Sequence, residues 1–370
     1  MKNIKDQQSF DGVSNTKLKP LIKWAGGKTR LNPILIKAAE LALKSLHTEK
    51  LDYYEPFFGG GALFFELHNN EKIDKGHIND IIPHLISFYE TVADDKLLNQ
   101  LLEKIEQLAN EFNEGDQKEI YGSAKENTGW VGDFNKLWMI DDADVKNGDD
   151  NEDQEYTIKD QLQTKHDKIQ SAALFYVLNK TGFNGMFRLS QKGKFNIPKG
   201  DTNKIRLNDD DFKKNKSKES LSVKEYFQNA SSILKNTSIT CGSYEKLLPP
   251  MNEIDKSRSF IYLDPPYYSD SENSGFTDYS REGFEKSDHQ KIANIFNQLV
   301  EDGYKVVLSN NSNTGSKKMY AENKNIFAYE VDVSRSIAKT EKGKRLPSKE
   351  LLVSSFNLDD LHLEKIELIK

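Results

Sequence analysis

Apolar runs that stop at polar, glycine or proline residues predict a series of short buried strands in this 370-residue chain. FIYL at 260–263 is continuously apolar and then meets Asp264, Pro265 and Pro266. Because proline cannot extend a central strand, this run predicts a buried strand that ends at Asp264. Similar runs predict other strands, in LDYYEPFFGGGALFFEL at 51–67, before HIND at 77–80, in KVVLSNN at 305–311, in FAYEVDVSRSI at 327–337 and in SKELLVSSF at 348–356.

Helical spacing predicts helices between these strands, at 84–113, at about 285–301 and from 169 onward. In the first of these, apolar residues recur every three or four positions, at Leu97, Leu98, Leu101, Leu102, Ile105 and Leu108. Strands that alternate with helices are typical of an α/β protein, in which ligands lie at the carboxyl ends of the strands. Asp264 is therefore expected at a ligand site.

Charge is unevenly distributed. The net charge of −6 disfavours a nucleic-acid partner only if it is spread evenly. Residues 141–155 hold eight acids and one lysine, a local charge of −7, whereas 180–218 hold eleven basic residues and four acids, or +7. The acidity belongs to an irregular insertion at about 114–160, where Trp130 and Trp138 indicate some packing. The basic segment suits a polyanion, although a solvated surface would also explain it.

Cysteine content and the first residues indicate the compartment. A single cysteine, Cys241, excludes an internal disulfide and supplies no metal cluster, which favours a reducing cytoplasm and predicts no metal site. No apolar run is long enough to span a membrane, and MKNIKDQQSF lacks the core of a signal peptide. Residues 1–17 are expected to be a flexible polar leader.

The segment DPPY at 264–267 carries the clearest chemistry. The amino group of a nucleobase is a poor nucleophile because its lone pair is conjugated with the ring. The Asp264 carboxylate and the Pro265 carbonyl, held rigidly beside Pro266, could accept hydrogen bonds from this amino group, while Tyr267 would lie against the face of the base. Such a base must have left the helix stack. The alternative is an ordinary turn after a strand.

Two glycine-rich turns predict a nucleotide-like ligand. GGKT at 26–29 is not a phosphate loop, since Ile22 stands where that motif needs glycine. Trp24 and Lys28 could instead stack on a flat ring and place a cation near it, although Trp24 could equally be a core residue. The turn at 59–61 lets the backbone approach a ligand closely, and Asp80 follows about 20 residues later, where an acid binds ribose hydroxyls. The alternative for Asp80 is a helix cap.

The glycine- and asparagine-rich hairpin within 169–200 has the features of a DNA-reading element. Arg188 could present its guanidinium fork to a guanine edge. Lys192, Lys194 and Lys199 would suit phosphates, and the aromatics Phe276 and Tyr279 could close over an extruded base. A basic surface hairpin is the alternative.

Taken together, these motifs resemble the Dam-like, alpha-ordered group of DNA adenine-N6 methyltransferases, which use S-adenosylmethionine. The family's K-W-x-G-G-K, [DE]-P-F-x-G-x-G and DPPY motifs match 23–28, 55–61 and 264–267, in the family's order. Between them, its recognition hairpin N-G-L-x-R followed by F-N-V-P-x-G matches 184–188 and 195–200. The resemblance covers 18–112, 169–200 and 240–356. One departure is Ile82, which stands where the family commonly has asparagine.

The resemblance implies roles residue by residue. The residues expected to bind the cofactor are Trp24, Lys28, Glu55, Pro56, Phe57, Gly59, Gly61, Asp80, Tyr244 and Asp264. Those expected to bind DNA are Lys23, Asn184, Arg188, Lys192, Lys194, Asn196, Phe276, Tyr279, Arg335 and Ser336. Those expected to act on the base are Asp264, Pro265, Pro266 and Tyr267.

The implied fold is α/β, a Rossmann-like class I methyltransferase sheet with helices on both faces. A smaller helical and hairpin domain for DNA target recognition is inserted in it. Residues 18–95 and 238–358 would form the catalytic domain, and 96–237 the recognition domain. The implied function is methylation of adenine N6 in duplex DNA, at a GATC-like or other GA-containing site. The alternatives are cytosine N4, an RNA adenine, or a noncatalytic nucleic-acid-binding protein on the same fold.

The expected partner is double-stranded DNA. A cognate restriction endonuclease that acts on the same site is a further candidate, and the protein is expected to be a monomer.

Overall fold

The computed structural model describes residues 17–138, 165–190, 192–207, 222–248, 254–268, 284–339 and 345–368. In this part of the chain one mixed sheet has the strand order β3-β2-β1-β4-β5-β7-β6-β8. The first five strands in that order are mutually parallel, and β7, β6 and β8 run antiparallel to their neighbours. The strands are β1 (Leu51–Glu55), β2 (Ile73–Asp80), β3 (Thr237–Cys241), β4 (Ser259–Leu263), β5 (Lys305–Asn311), β6 (Phe327–Lys339), β7 (Arg345–Ser354) and β8 (Glu364–Lys365).

One helix precedes the first strand, and the others lie between strands in sequence. The helices are α1 (Asn32–Leu46), α2 (Ala62–Asn69), α3 (Pro83–Ala93), α4 (Asp95–Glu114), α5 (Gln117–Tyr121), α6 (Gly129–Leu137), α7 (Lys165–Thr181), α8 (Val223–Leu234), α9 (Lys286–Glu301) and α10 (Thr314–Tyr320). Among the described residues, no helix is both long and apolar enough to cross a membrane.

Both faces of the sheet are covered. Every residue of β1 and β4 is buried, as the continuous apolar runs predict. Alternate side chains enter two separate cores: Tyr53 joins the core that contains residues of α1, α3, α4 and α7, and Tyr54 joins the core that contains residues of α9. The predicted α/β class with helices on both faces is confirmed. The predicted domain boundaries stay a prediction.

The helical prediction for 84–113 is confirmed except at Asp94, which separates two helices. Asp94 is extended, with φ −86° and ψ 109°, and its side chain accepts hydrogen bonds from the amides of Lys96 and Leu97. The chain therefore ends α3 and begins α4 with Asp94 as the N-cap. Capping by aspartate satisfies amides that would otherwise lack partners, and here it outweighs the continuous apolar spacing.

The insertion is more regular than expected as far as residue 138. It forms α5 and α6, and Trp130 and Trp138 are both buried. The indole nitrogen of Trp138 donates to the Ser171 hydroxyl at 2.7 Å, which joins the insertion to α7. The packing expected from the two tryptophans is confirmed. The acidic segment 141–155 lies outside the described residues.

The predicted hairpin follows α7. Antiparallel bridges join Leu189 to Phe195 and Gly182 to Lys199. The buried side chain of Asn135, in α6, holds this hairpin, because its amide group donates to the Phe195 carbonyl at 3.2 Å and its oxygen accepts from the Phe195 amide at 2.7 Å.

Candidate active site

The carboxyl ends of three neighbouring parallel strands carry acids at one edge of the sheet. β1 ends at Glu55, β2 ends at Asp80 and β4 is followed directly by Asp264. β1 lies between β2 and β4, so the later strands are added on opposite sides of β1. Open α/β sheets bind their ligands at such a switch point in the strand order. The predicted position of Asp264, at the end of a buried strand, is confirmed.

A lysine and a serine hold one oxygen of Asp264. Nζ of Lys28 lies 2.6 Å from Oδ1 of Asp264 and 3.2 Å from the carbonyl oxygen of Gly26. The hydroxyl of Ser309 donates to the same Oδ1 at 2.7 Å. The Lys28 side chain is only 9% exposed, so this ion pair is screened by water much less than a surface pair.

Tyr267 is held on two sides. Nζ of Lys28 lies 4.5 Å from the centre of its ring, within cation–π distance. Its hydroxyl donates to Oε1 of Glu350, a buried residue of β7. The structure thus brings Lys28, Asp264 and Tyr267 together, although they come from distant parts of the sequence.

The loop after β4 is tied to the polar end of β5. Pro265 is buried, and Pro266 is partly exposed. The amide of Tyr268 donates to Oδ1 of Asn310 at 3.0 Å, and the side-chain amide of Asn313 donates to the Tyr268 carbonyl at 3.0 Å. These bonds fix the course of the DPPY segment.

Sequence reasoning missed Ser309, Asn310 and Glu350. The first two belong to the polar end of KVVLSNN, a signal that the sequence does contain. Glu350 is a lone acid inside the apolar strand SKELLVSSF, where a buried acid needs a donor.

Trp24 packs on the second glycine turn. A Cβ on Gly59, whose φ is +53°, would lie 2.7 Å from Cδ1 of Trp24. Only glycine permits both this backbone conformation and this close contact. The Trp24 indole also stacks on Phe187, with ring centres 5.8 Å apart. Trp24 is only partly buried, so part of its side chain stays exposed beside the glycine turn.

Asp80 joins the glycine turn to the start of α3. Its Oδ2 accepts from the amide of Gly59 at 2.8 Å, and its Oδ1 accepts from the amide of Ile82 at 3.0 Å. Burial raises the pKa of Asp80 to about 6, although these amides act in the opposite direction. Next to it, the side-chain amide of Asn79 donates to the Pro56 carbonyl at 3.2 Å. Asp80 therefore has a structural function just before α3, but the N-cap position is held by Ile82, so Asp80 is not the helix cap that the alternative predicted.

Glu55 is a buried acid close to two others. It is 3% exposed. Burial raises the pKa of Glu55 well above its usual range, and the charges of Asp264 and Asp80 add to the effect. Its Oε2 atom has no hydrogen-bond partner in the part of the chain that the structure describes. The raised pKa means that the protonated, neutral form of Glu55 is favoured at this position.

Aromatic rings lie beside the glycine turn. Phe57, which is half-buried, packs against Tyr244 with ring centres 5.3 Å apart and meets the edge of Phe284 at 6.5 Å. Ile81 is 55% exposed directly after Asp80. Tyr244 thus lies against Phe57, and its expected place next to the cofactor stays a prediction.

The first glycine turn and the hairpin are joined by one asparagine of α7. The side-chain oxygen of Asn179 accepts from the amide of Lys23 at 2.9 Å, and its amide group donates to the carbonyls of Lys23 and Gly185 at 2.8 and 2.9 Å. A Cβ on Gly185, whose φ is +64°, would lie 2.8 Å from the Lys23 side chain. The hairpin thus begins next to the segment that carries Lys28.

The predicted DNA-binding residues of the hairpin lie at its surface. Arg188 is exposed, and its Nε donates to Oδ1 of Asn196 at 2.9 Å. Asn184 is exposed in the left-handed conformation, with φ 56°, and Lys192 is exposed while Lys194 is partly exposed. Phe276 and Tyr279, and the side chains of Arg335 and Ser336, lie outside the described residues.

Comparison with known proteins agrees with this geometry. Residues 24–337 match the family of D12 class N6 adenine-specific DNA methyltransferases. The chain is 32% identical over 299 residues to the type II methyltransferase M.MjaIII of Methanocaldococcus jannaschii, which covers 80% of this chain and 85% of that protein. It is 30% identical to the type II methyltransferase M1.LlaDCHI of Lactococcus lactis, over 88% of this chain and 93% of that protein.

A DNA adenine methylase of Haemophilus influenzae is 25% identical over 91% of this chain and 93% of that protein. The family match covers most of the chain, in agreement with the motif resemblance. The chain therefore belongs to the D12 class of N6 adenine-specific DNA methyltransferases.

Proposed function

We propose that this adenine-specific DNA methyltransferase transfers the methyl group of S-adenosylmethionine to N6 of an adenine that is flipped out of duplex DNA. The observation that carries the proposal is the position of Asp264. It follows a buried strand at the switch point of the sheet, with one carboxylate oxygen held by Lys28 and Ser309. Tyr267 lies next to it as a surface for a flat ring.

The residues around the glycine turn suit this cofactor. Glu55, Asp80 and Asp264 place three acids near one another, and Oε2 of Glu55 is buried without a donor among the described residues. A ligand with ammonium and sulfonium groups would stabilise the ionised forms of these acids. Glu55, Pro56, Phe57, Gly59 and Gly61 would hold the methionine end, with Trp24 and Lys28 beside it. When bound, S-adenosylmethionine supplies an electrophilic methyl group.

Asp80 and Tyr244 would hold the nucleoside end of the cofactor. The Asp80 carboxylate accepts backbone amides through both oxygens, so a ribose hydroxyl would share an oxygen that is already bonded. Each carboxylate oxygen has two lone pairs and can accept a second donor. Tyr244, which packs against Phe57, would offer a ring surface to the adenine of the cofactor.

The target base would be bound by the DPPY segment. The Asp264 carboxylate and the Pro265 carbonyl would accept hydrogen bonds from the two N–H groups of the amine, which localises the nitrogen lone pair toward the methyl donor. Pro266 would keep the carbonyl in place, and Tyr267 would stack on the base. Because the amine attacks the methyl group directly, the enzyme contributes orientation and polarisation and forms no covalent intermediate.

The hairpin would read the DNA sequence. We infer a target that contains GA, such as GATC, with Arg188 on the guanine edge, its fork oriented by Asn196. Lys23, Asn184, Lys192 and Lys194 would contact the DNA beside it, and so would Phe276, Tyr279, Arg335 and Ser336. Sequencing of methylated DNA from cells that express the protein would test this, and methylated adenines without an adjacent guanine would contradict it.

Two relatives are named type II methyltransferases. We infer that this chain could likewise protect DNA from a restriction endonuclease with the same target. Residues 18–95 and 238–358 would form the catalytic domain and 96–237 the recognition domain of a monomer. The cytosine and RNA alternatives have lost their support, since the matching family is specific for adenine N6 in DNA.

Substitution of Asp264 tests the catalytic assignment. We expect Asp264→Ala to reduce methyl transfer at least about a hundredfold, because an oriented charge at the reacting group is lost. Labelled methyl transfer to DNA measures the rate, and nucleoside analysis identifies N6-methyladenine. DNA binding by the variant should stay close to that of the wild type. Asp74→Ala, which removes an exposed acid from β2, is the matched control. Normal turnover by Asp264→Ala would refute the assignment.

A further inference from the structure

The two oxygens of the Asp264 carboxylate are in different environments. Oδ1 receives both Nζ of Lys28, at 2.6 Å, and the Ser309 hydroxyl, at 2.7 Å. In the described part of the chain, no donor reaches Oδ2. A carboxylate held in this way cannot exchange its oxygens by rotation without breaking two charge-assisted bonds.

The sheet register determines which residue of β5 lies next to Asp264. Leu263 is paired with Leu308 in the parallel ladder of β4 and β5. The next residues on the two strands are Asp264 and Ser309, so the serine hydroxyl reaches the carboxylate directly. Ser309 is fully buried, and its hydroxyl is therefore protected from competition with water.

A tyrosine stands behind this serine. The hydroxyl oxygens of Tyr262 and Ser309 are 2.9 Å apart. The single proton of Ser309 is donated to Asp264, so the Tyr262 hydroxyl must be the donor in this second bond. Burial, with the charge of Asp264, raises the pKa of Tyr262 well above its usual range, which keeps the hydroxyl protonated. A directed chain of bonds thus runs from Tyr262 through Ser309 to Oδ1.

We propose that Ser309, oriented by Tyr262, is a positioning residue that works with Lys28 to occupy Oδ1 of Asp264 and to present Oδ2 to the amino group of the target adenine. This inference rests on the proposed function of Asp264. It assigns no contact between Ser309 and the substrate. Its effect is on the orientation of the catalytic carboxylate, and so on the rate of transfer.

Steady-state kinetics of Ser309→Ala test the proposal. We expect kcat to fall about 10- to 100-fold, the effect of one hydrogen bond to a charged group, with KM for DNA and for S-adenosylmethionine within about threefold of the wild type. Tyr262→Phe should lower kcat about three- to tenfold. The double variant should be no slower than Ser309→Ala alone, because the tyrosine acts through the serine.

Ser259→Ala is the matched control. Ser259 is also a fully buried serine, at the other end of β4, and its hydroxyl donates to the Asp255 carbonyl at 2.7 Å. Its removal should reduce stability without changing kcat. Tyr262→Phe deletes one oxygen atom only, and it tests the same chain of bonds if Ser309→Ala does not fold.

Three results separate the possible failures. A kcat for Ser309→Ala within about threefold of the wild type, together with an inactive Asp264→Ala, would overturn the positioning role alone. Equal losses of kcat in Ser309→Ala and Ser259→Ala would overturn it too, since the effect would then be structural. Retained turnover in Asp264→Ala would overturn the proposed function on which the inference rests.

Discussion

Burial changes the acid–base behaviour of Asp80. The residue is 9% exposed, and burial raises its pKa from 3.8 to about 6. Because the pKa of the folded state lies above that of the unfolded state, the folded protein holds the proton more tightly. The stabilisation from this proton is complete below about pH 4 and is lost as the pH rises through about 6.

We therefore expect the stability advantage of the wild type over Asp80→Asn to decrease as the pH rises from about 4 to about 7. The decrease should be as large as about 3 kcal/mol, since the pKa shift is about two units. Urea unfolding of both proteins without cofactor measures this difference. Asp74→Asn, an exposed carboxylate of the same strand, controls for the loss of one charge. A constant difference between wild type and Asp80→Asn across the pH range would contradict the raised pKa.

At the residue scale, local motifs could be predicted and long-range partners could not. DPPY identifies Asp264 and Tyr267 because the prolines and the acid are adjacent in sequence. Ser309 lies 45 residues from Asp264, and Glu350 lies 83 residues from Tyr267. Their contacts depend on strand register and strand order, which are properties of the assembled sheet.

At the scale of elements, two asparagines clamp two different segments in the same way. Asn135 of α6 exchanges two hydrogen bonds with the backbone of Phe195 in the hairpin. Asn113 of α4 exchanges two with the backbone of Ile205, at 2.8 and 2.9 Å. The first clamp holds the strand that faces Arg188, and the second holds a segment farther along the chain.

Asn135→Ala and Asn113→Ala should each lower the free energy of unfolding by about 1–3 kcal/mol, because each leaves backbone groups without a partner. Only Asn135→Ala should weaken DNA binding, by about three- to tenfold, since it releases the hairpin that must then be ordered on binding. Thermal unfolding and DNA-binding titrations measure the two effects. Equal effects of both substitutions on DNA affinity would show that the first clamp does not orient the hairpin.

Element boundaries depended on single polar residues. The apolar spacing over 84–113 predicts one helix, but the side chain of Asp94 caps a new one. The acidic composition after residue 114 predicts irregular chain, but Asp116 caps α5 by accepting from two amides of its first turn. Local capping and tertiary packing outweighed average composition in both places.

At the scale of the whole molecule, the order of the strands in the sheet could not be predicted from the pattern of apolar and polar residues. The sequence predicts strands in FAYEVDVSRSI and SKELLVSSF, and both are present as β6 and β7. It does not predict that the later strand, β7, lies between β5 and β6. This order places Glu350 beside Tyr267, and it arises from long-range pairing that leaves no periodic signal in the sequence.

Net charge and the position of charge act differently on DNA binding. The chain carries −6 overall, so its attraction to DNA must come from the local placement of lysines and arginines. Lys192, in the hairpin, and Lys75, in the first half of β2, are both exposed. Replacing either one with glutamine changes the net charge by the same amount. Only Lys192 belongs to the hairpin that is proposed to contact DNA, whereas Lys75 lies toward the opposite edge of the sheet.

Lys192→Gln should therefore make the dependence of DNA affinity on salt less steep, by about 0.9 in the slope of log K against log salt concentration. Lys75→Gln should leave the slope unchanged, because counterions are released only where a cation contacts a phosphate. Binding titrations of both variants and the wild type, at several salt concentrations and on the same duplex, give the three slopes. If the two variants changed the slope equally, net charge rather than the hairpin would govern the attraction to DNA. The proposed contact between the hairpin and DNA would then be wrong.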